Sequence, residues 1–379
     1  MRGSHVLARL PKYARVKPPV VLISIFRETI IGGIAVHSSN LYERIVEEGL
    51  PVRKVNYAPV FVARSPLRKA RLLMGVGWRL LRLRLSGARV FHFHASNRAL
   101  MYYLLAPPLA LSGGKVVLSL HSGYGYDKWL VENKAYHWFN RLLFRPLHRL
   151  IFMNPEESAG IRTRYPFLRD RVVTINPFIA PPAAAIPDLD ALRPQPDHFR
   201  IATIGVWMQR YNVEEVIRAA VRFHRETGIR TTVTVLLSTV IIEPVYRKKL
   251  EAIIADARAT IKVELLEDHD RILDVLARRD VFVRASFLDS YGLCVAESLL
   301  VGTPAIATDV CRRCDNAVLY QRGDEDELQT HLMDVWKRRN TERTSMLAED
   351  EDSFNAYRKI YNELGSLPDD RRSGTEKNG

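Results

Sequence analysis

Short apolar runs alternate with segments of helical periodicity through the first half of the chain. Residues 20–26 have the length of a buried strand and lead into a loop that contains Gly32 and Gly33. In residues 34–48 the apolar positions recur at helical spacing, and Gly49 is typical of a helix end. Further strands are predicted at residues 52–55, 90–93, 115–120, 150–153 and 172–175. Strands that alternate with helices predict a parallel sheet covered on both faces.

The alternation stops at a proline-rich segment and then begins again. Residues 181–198 contain five prolines and little periodicity, so we predict a linker there. Strands are predicted beyond it at residues 199–204, 231–237, 262–265, 281–284 and 304–308, with helices at 213–226, 244–257, 270–277 and 293–300. The predicted fold class is α/β, with two tandem Rossmann-like doubly wound domains at residues 1–180 and 199–340. Such sheets bind ligands beyond the carboxyl ends of their strands, so we expect the site in the interdomain cleft.

The composition is that of an ordinary globular protein. Hydrophobic residues make up 47% and charged residues 26% of the 379 residues, which excludes a collagenous or wholly disordered chain. Three cysteines exclude a disulfide scaffold. The longest nearly apolar run, residues 99–111, contains two prolines and is shorter than the roughly 20 residues of a membrane-spanning helix. Residues 1–5 show no secretory signal, so we expect a cytoplasmic protein.

The positive charge is confined to the first half of the chain. Residues 1–180 contain 28 Lys and Arg against 9 Asp and Glu, whereas residues 181–379 contain 28 against 33. No acidic residue occurs between Glu48 and Asp127, a stretch with twelve basic residues. The folded first domain should therefore attract anions, such as an anionic lipid surface, nucleic acid or a phosphorylated substrate.

Residues 66–85 combine a basic edge with an apolar face. At about 100° per residue, Arg68, Arg71, Arg79 and Arg82 share a narrow arc, and Trp78 belongs to an adjacent apolar arc. An amphipathic helix of this kind is typical of a membrane surface, with tryptophan at the interface and arginines on anionic headgroups. The alternative is a domain helix packed on the sheet, with solvated arginines. The apolar arc consists of Leu67, Met74, Trp78, Leu81 and Leu85.

Residues 285–304 hold the most specific pattern in the sequence. A strand leads to Asp289, Gly292 permits a tight turn, and a helix begins near Leu293. Free backbone N–H groups and the helix dipole at such a turn can hold a phosphate, while Glu297 could bind ribose hydroxyls and Asp289 a sugar. On spacing alone, an ordinary strand-turn-helix with solvated or capping acids also fits. The candidate donor-binding residues of the turn are Ser290, Tyr291, Gly292, Leu293 and Glu297.

This stretch resembles the acid-x7-acid signature of retaining nucleotide-sugar glycosyltransferases with the GT-B fold, glycosyltransferase family 4 in particular. The Gly-Thr-Pro at residues 302–304 and the glycine loop Gly32-Gly33 are also similar to family features. The resemblance covers nearly the whole chain. It implies that residues 341–367 form a helix that returns to the first domain. We expect the polar tail, residues 368–379, to be disordered.

The resemblance implies a role for each motif residue. Glu297 would bind the donor ribose, Asp289 the transferred sugar, and His121 a sugar hydroxyl near the reacting centre. The backbone at Gly33 would approach the diphosphate, where a Cβ would clash. The resemblance also implies a nucleoside diphosphate sugar as donor substrate, no other cofactor and no obligatory metal. In agreement, no Asp-x-Asp pair stands in the expected donor-loop context.

One departure from the family concerns the cations of the diphosphate site. The family pattern, roughly Gly-Arg-x4-Lys-Gly, follows the first strand of the second domain, and its cations neutralise the leaving diphosphate. Here the run begins at Gly205, which is a candidate donor-binding residue, and Val206 and Tyr211 occupy the two cationic positions. Losing one such donor costs about 3 kcal/mol of transition-state stabilisation, so either another cation substitutes or activity is weak. Arg210 is the candidate catalytic substitute, with a solvated loop arginine as the alternative.

Two further motifs are open to more than one interpretation. Cys311 and Cys314 form a C-x-x-C with two arginines between them, which suits a reactive dithiol, although two reduced loop thiols are the preferred interpretation. His92 and His94 alternate at strand period and could chelate a metal, although one bonded and one packed histidine is more usual. We therefore predict no metal site.

We expect a retaining glycosyltransferase that moves a sugar to an acceptor glycan or lipid-linked sugar on the basic first domain. The charge pattern favours an anionic acceptor at the inner face of a membrane. The alternatives are a non-catalytic nucleotide-sugar or membrane-binding scaffold and a sugar epimerase or phosphorylase of the same fold. Nucleic-acid binding ranks last because no nucleic-acid motif is present. The oligomeric state is not predicted.

Overall fold

The structure is a computed structural model, and it describes residues 20–30, 32–96, 99–122, 126, 130, 132–188, 195–339, 344–348 and 352–365. Within these residues the chain forms two six-stranded sheets, one in each half. The predicted α/β fold class, with two Rossmann-like domains, is confirmed. Residues 1–5, residues 189–194 of the predicted linker and the predicted tail at 368–379 lie outside the described residues.

The first sheet is parallel throughout, in the order β2-β1-β3-β4-β5-β6. Its central strands β1 and β3 are buried along their whole length. This burial matches the apolar run of β1, whereas β3 also carries two buried histidines, His92 and His94. The strands are β1 (Val20–Ser24), β2 (Val52–Asn56), β3 (Val90–Ala95), β4 (Lys115–Leu120), β5 (Leu147–Phe152) and β6 (Val172–Thr174). The helices between them are α1 (Gly33–Glu47), α2 (Ala58–Val62), α3 (Pro66–Leu85), α4 (Leu100–Leu111), α5 (Lys134–Leu143) and α6 (Pro155–Arg164).

The second sheet is also parallel, in the order β12-β11-β10-β7-β8-β9. Apolar clusters lie on both of its faces, between the sheet and the flanking helices. The strands are β7 (His198–Trp207), β8 (Arg230–Ile242), β9 (Lys262–Glu267), β10 (Val281–Arg284), β11 (Ala305–Thr308) and β12 (Val318–Tyr320). The helices are α7 (Val213–Thr227), α8 (Pro244–Ala257), α9 (Ile272–Ala277), α10 (Leu293–Leu300) and α11 (Glu325–Arg338).

A last helix, α12 (Phe354–Gly365), lies against the first sheet rather than the second. Its buried residues Phe354, Tyr357 and Tyr361 join the apolar cluster that β1 and α1 form. The Tyr361 hydroxyl is also hydrogen-bonded to His92 Nδ1 of β3, at 2.7 Å. The helix therefore ties the second half of the chain to the first domain.

The observed elements differ from the predicted ones at several ends, and α2, α5, α6, α11 and β12 are elements that the sequence pattern does not predict. The helix expected within residues 341–367 is observed as the shorter α12. Strand β8 continues to Ile242, past the predicted end at residue 237, because the run of β-branched residues continues. The apolar stretch after β3 is a helix, α4, although it contains Pro107 and Pro108. Its burial through Tyr102, Leu105 and other side chains outweighs the helix-breaking effect of the prolines.

Candidate active site

Each sheet reverses its strand order at one point, and doubly wound proteins bind ligands there, beyond the carboxyl ends of the strands. In the second sheet the reversal lies between β7 and β10. Backbone pairing of the two strands covers Val281 and Phe282 of β10. Near the carboxyl end, Arg284 Nη1 donates a hydrogen bond to the Ile204 carbonyl of β7 at 2.6 Å. In the first sheet the reversal lies between β1 and β3. The carboxyl edge of the second sheet carries the predicted donor-binding residues of the turn, and the carboxyl edge of the first sheet carries the predicted sugar-binding histidine.

The predicted phosphate turn joins β10 to α10. Gly292 precedes the helix with a φ of +79°, a left-handed conformation that favours glycine. A Cβ at this position would also collide with the Arg313 guanidinium. The first turn of a helix has no internal acceptors for its N–H groups, and here Leu293 and Cys294 are only half-buried. The turn can therefore present backbone donors to an anion, as its sequence predicts.

Asp289 lies between two buried arginines. Its Oδ2 accepts hydrogen bonds from Arg284 Nε and Arg313 Nη1, both at 2.9 Å, and its Oδ1 accepts one from the Ser290 N–H at 3.1 Å. Burial alone would raise the pKa of Asp289, but the two guanidinium groups hold it well below its usual range. The carboxylate is therefore ionised at neutral pH, and the three side chains together carry an excess of positive charge.

Glu297 is buried on α10, with 8% of the residue exposed. Burial raises its pKa to about 7, and the charge of Arg27, which follows β1 in the first domain, offsets part of this rise. Within the described residues its carboxyl group accepts no hydrogen bond. A buried carboxyl group that has no protein partner and titrates near pH 7 is typical of a ligand-binding position.

The loop after β7 contains the candidate cation Arg210. Its side chain is exposed, and its guanidinium lies over the Tyr211 ring, 5.1 Å from the centroid. The Arg284 guanidinium lies over the same ring at 4.9 Å. Gly205 is buried, and a Cβ there would come within 3.1 Å of Tyr211 Cβ. Close packing of the loop therefore accounts for this glycine without a ligand.

Three histidines meet at the carboxyl edge of the first sheet. His37 comes from α1, His94 from β3, and His121 directly follows β4. His94 Nδ1 and His121 Nε2 are 3.2 Å apart, and the ring centroids of His37 and His121 are 4.9 Å apart. Burial lowers the pKa of His37 to about 4 and the pKa values of His94 and His121 well below the usual value. All three rings are therefore neutral at pH 7.

This histidine cluster has unused hydrogen-bonding capacity. His37 Nε2 and His94 Nε2 are buried without a partner in the part of the chain that the structure describes. The three side chains offer one nitrogen each within 4.8 Å of one another. They could bind sugar hydroxyls or supply three ligands to a divalent metal. Independence from metal stays a prediction.

The glycine loop before α1 is exposed. Gly32 has extended backbone geometry, and Gly33 is the first residue of α1. A Cβ at either position would find no atom within 4 Å. No contact within the described residues requires glycine here, so the approach of a donor diphosphate to this loop stays a prediction.

Residues 176–179 connect the histidine cluster to the phosphate turn. The Pro177 carbonyl is hydrogen-bonded to His37 Nδ1 at 2.6 Å, and Asn176 Nδ2 donates to the Tyr291 hydroxyl at 3.0 Å. Phe178 is buried in the apolar cluster that α9 and α10 form in the second domain. The same short segment therefore contacts both sides of the interdomain cleft.

The two remaining motifs of the sequence have structural explanations. Cys311 and Cys314 form no disulfide, and burial raises the pKa of Cys311 to about 12, which disfavours the thiolate of a reactive dithiol. His92 is bonded at Nε2 to the Ser119 hydroxyl and at Nδ1 to Tyr361. Both ring nitrogens of His92 are therefore hydrogen-bonded within the fold, and neither is free to bind a metal.

Helix α3 exposes the apolar arc that its sequence indicates. Leu80 is buried, and Leu73, Val76 and Leu83 pack partly against the core. On the exposed arc, Leu67 is 81% and Trp78 is 61% accessible. The arc therefore faces away from the sheet, while the opposite side of α3 packs on the core. This arrangement also agrees with the alternative of a domain helix with solvated arginines, so membrane contact stays a prediction. Also exposed are the predicted headgroup-binding residues Arg68, Arg71, Arg79 and Arg82.

Neighbouring helices also expose large apolar side chains. Helix α4 contacts α3, and Tyr102 and Tyr103 of α4 donate hydrogen bonds to Leu143 and Asn140 at α5. No helix among the described residues is both long enough and apolar enough to cross a membrane. The exposed apolar side chains of the two neighbouring helices include Leu104, Leu111, Trp138, Phe139 and Leu142.

Sequence reasoning missed three residues of this site. Arg284 has a visible signal, because it is a charged residue at the end of the otherwise apolar strand β10. Arg313 was considered only for its effect on the neighbouring thiols. His37 lies on the buried side of α1, and only the contact with His94 and His121 distinguishes it from a core residue.

The family of the second domain follows from a sequence comparison. Residues 189–342 match the family model described as glycosyl transferases group 1. The second domain therefore carries the sequence pattern of this family. The matched region includes Asp289, Glu297 and the phosphate turn between them. It confirms the resemblance to glycosyltransferases and the predicted enzyme class, whereas no curated protein sequence matches the chain.

Solved glycosyltransferase structures are similar to nearly the whole chain. The catalytic domain of starch synthase IV from Arabidopsis thaliana, bound to ADP and acarbose, has a TM-score of 0.67 at 14% identity, covering 93% of this chain and 100% of that one. Sucrose-phosphate synthase from Thermosynechococcus elongatus has a TM-score of 0.63 at 15% identity, covering 92% and 97%. HepE from Anabaena, in complex with UDP and glucose, has a TM-score of 0.61 at 12% identity, covering 92% and 100%. At these identities the likeness concerns the two-domain GT-B fold.

Proposed function

We propose that this protein is a retaining glycosyltransferase that moves a sugar from a nucleoside diphosphate sugar to an acceptor glycan or lipid-linked sugar. The observation that carries the proposal is the acid-x7-acid pattern of residues 289–297 at the strand-order reversal of the second sheet. The free N–H groups of the turn and the positive charge beside it support a diphosphate there. Solved structures of the same fold with bound ADP or UDP support a nucleotide donor.

Each residue of the proposed site would bind a different part of the donor. Glu297, whose carboxyl group has no hydrogen-bond partner among the described residues, would accept hydrogen bonds from the ribose hydroxyls. The backbone of the turn at Gly292 would hold the diphosphate. Asp289 would face the transferred sugar through Oδ1, because its Oδ2 is already bonded to two arginines. His121 would bind a sugar hydroxyl from the first domain, and its neutral ring can donate or accept there without adding charge.

The two domains would act together. Closure of the cleft would bring His121 and Glu297 onto one donor and exclude water, which limits hydrolysis of the nucleotide sugar. The glycine loop at Gly32-Gly33 would approach the diphosphate from the first domain. The proposal includes no metal and no cofactor besides the donor substrate.

Turnover of the donor tests the proposal. The protein is incubated with UDP, GDP and ADP sugars in the presence of membrane extracts as the source of acceptors, and released nucleotide is measured. Glu297→Ala and Asp289→Ala should each abolish most of the release. Glu251→Ala, at an exposed acid of α8 that pairs with Arg247, is the matched control and should release nucleotide at the parent rate. Unchanged rates in both site variants would refute the site assignment.

The acceptor side of the proposal is a membrane-associated substrate. Helix α3 exposes an apolar arc beside four arginines in the acid-free part of the first domain. A peripheral position at the inner, cytoplasmic face of a membrane matches this combination of charge and apolar surface. A lipid-linked acceptor would then reach the cleft from the membrane surface.

The second candidate function is a nucleotide-sugar or membrane-binding scaffold with weak or no catalysis. The observation that favours it is the replacement of the family cations by Val206 and Tyr211. Calorimetry separates the two candidates, because a scaffold would bind a nucleoside diphosphate yet turn over none of the donors. An epimerase or phosphorylase would instead form product without a glycosyl acceptor.

A further inference from the structure

We propose that Arg284 supplies the positive charge against the donor diphosphate that the family otherwise places after the first strand of the second domain. The inference rests on the proposed function and adds a residue to its site. Arg284 is the last residue of β10 and lies beside the carboxyl end of β7. This is the point of the sheet at which its strand order reverses, where doubly wound domains bind their ligands.

Arg284 reaches the loop from which the family cations are missing. Its Nη1 is bonded to the carbonyl of Ile204, the residue before Gly205, at 2.6 Å. Its guanidinium lies over the ring of Tyr211, the residue at the lysine position of the family pattern, 4.9 Å from the centroid. A guanidinium from the neighbouring strand therefore occupies the region that the loop's own cations would fill.

One terminal nitrogen of Arg284 is available for a ligand. Its Nε is bonded to Asp289 and its Nη1 to Ile204, whereas Nη2 forms no hydrogen bond within the described residues. The side chain is 8% accessible, so it is not sealed from the cleft. Asp289 Oδ2, which accepts the bond from Arg284 Nε at 2.9 Å, lies 3.1 Å from the position that a Cβ at Gly292 would take, so the guanidinium is close to the first turn of α10. A phosphate on that turn would lie within reach of a charge-assisted bond.

Asp289 and Arg313 act as positioning residues for Arg284. Arg313 is only 1% accessible and bonds both Asp289 Oδ2 and the Tyr291 carbonyl through Nη1. It therefore fixes Asp289, which in turn holds Nε of Arg284. Two arginines share one carboxylate, so a positive charge is left over next to the turn. A site for a diphosphate needs this excess, which a simple one-to-one ion pair would not provide.

The test compares nucleotides that differ by one phosphate. UDP, GDP and ADP are titrated into the parent protein by calorimetry to find the base that binds, and the matching monophosphate is then titrated. Arg284→Gln should weaken diphosphate binding by about tenfold or more, because a bond between charged groups is lost. Its affinity for the monophosphate should change by less than about threefold. Arg322→Gln, an exposed arginine over the Phe287 ring, is the matched control and should bind both nucleotides as the parent does.

Each outcome bears on the proposal. Equal diphosphate affinity in Arg284→Gln and the parent overturns it, as does an equal loss for both nucleotides, which would indicate a collapsed turn. If Arg284→Gln does not fold, the double variant Arg284→Gln/Asp289→Asn removes both charges of this pair. Arg313 then loses its carboxylate partner but keeps its hydrogen bonds to the carbonyls of Tyr291 and Thr308. A diphosphate-selective loss in that variant supports the proposal, and parent-like affinity overturns it. No nucleotide binding by the parent would instead overturn the proposed function.

Discussion

Burial away from water shifts the pKa values of residues on both sides of the cleft, but the resulting protonation states differ between the two sides. The histidine cluster of the first domain is neutral because nothing with negative charge compensates for burial. In the second domain Asp289 stays ionised because two arginines outweigh its burial, whereas the charge of Arg27 offsets only part of the effect of burial on Glu297. The resulting site is neutral on one side and positive on the other, with one carboxyl group poised to titrate.

Donor binding should strengthen as the pH rises through 7. Ribose hydroxyls donate hydrogen bonds, so the ionised Glu297 is the better acceptor, and its pKa of about 7 makes the protonated form dominant below that pH. The affinity for the nucleoside diphosphate should fall by up to about tenfold per pH unit below pH 7. Calorimetry between about pH 5.5 and about pH 8.5 measures this slope.

Glu297→Gln provides the reference for that titration, because the nucleotide phosphate also changes its protonation in this range. This variant should bind more weakly than the parent at high pH and keep only the slope of the nucleotide itself. Identical slopes for the parent and Glu297→Gln would contradict the role of Glu297.

The free energy of unfolding should decrease as the pH falls from 7 to about 5. The histidines at positions 37, 92, 94 and 121 have lowered pKa values in the folded state, so below about pH 6.5 the unfolded chain binds more protons than the folded one. Stability therefore rises with pH in this window, by up to about 1.4 kcal/mol per pH unit for each buried histidine. The raised pKa values of Glu297 and Glu215 act in the opposite sense, but they are two groups against the four histidines.

Urea unfolding at both pH values measures this effect. His121→Asn should lose part of the difference between pH 7 and pH 5, whereas His269→Asn, at a histidine outside the cluster, should retain all of it. A parent protein that is equally stable at both pH values would contradict the burial of neutral histidines in the cluster.

At the scale of elements, periodicity predicts the helices and strands but not the partners of their side chains. The bounds of α3, α8, α10, β4 and β10 agree with the sequence pattern because each has a strong apolar or capping signal at both ends. The pattern of α3 contains two apolar arcs, and only the fold shows that Leu80 packs inward while Trp78 faces outward. The Arg284–Asp289–Arg313 group was not predictable, since its members come from different elements that the sheet topology brings together.

The exposed arc of α3 should bind anionic membranes. Trp78→Ala should reduce binding to vesicles rich in phosphatidylglycerol, since it removes an interfacial aromatic ring. Arg68→Gln/Arg71→Gln should weaken it by about 2 kcal/mol, at roughly 1 kcal/mol per basic residue near the surface, and high salt should reduce the difference. Sedimentation with vesicles measures both effects.

The second domain offers a matched control for α3. Val245→Ala alters a side chain that is 85% exposed on α8, and it should leave vesicle binding unchanged. Binding to neutral phosphatidylcholine vesicles as strong as to anionic ones would contradict the role of the arginines.

On the scale of the whole molecule, helix α12 should be required for the stability of the first domain. Phe354 is 2% exposed and packs with β1 and α1, so Phe354→Ala should cost about 3–5 kcal/mol of unfolding free energy. Asn355→Ala, at the adjacent exposed position of the same helix, should cost little. Urea unfolding followed by circular dichroism checks the pair, and equal stability of both variants would contradict the packing of α12.

The segment at residues 176–179 limits how the enzyme can open. Its hydrogen bonds to His37 on one side and to Tyr291 on the other keep a fixed spacing between the two half-sites at that point. If the cleft opens for the proposed donor, we expect a swing about this segment as the pivot, with the far ends of the domains separating most. Lengthening the pivot by one residue would change the angle at which the histidines meet the sugar while leaving nucleotide affinity intact, so catalysis and donor affinity would be uncoupled.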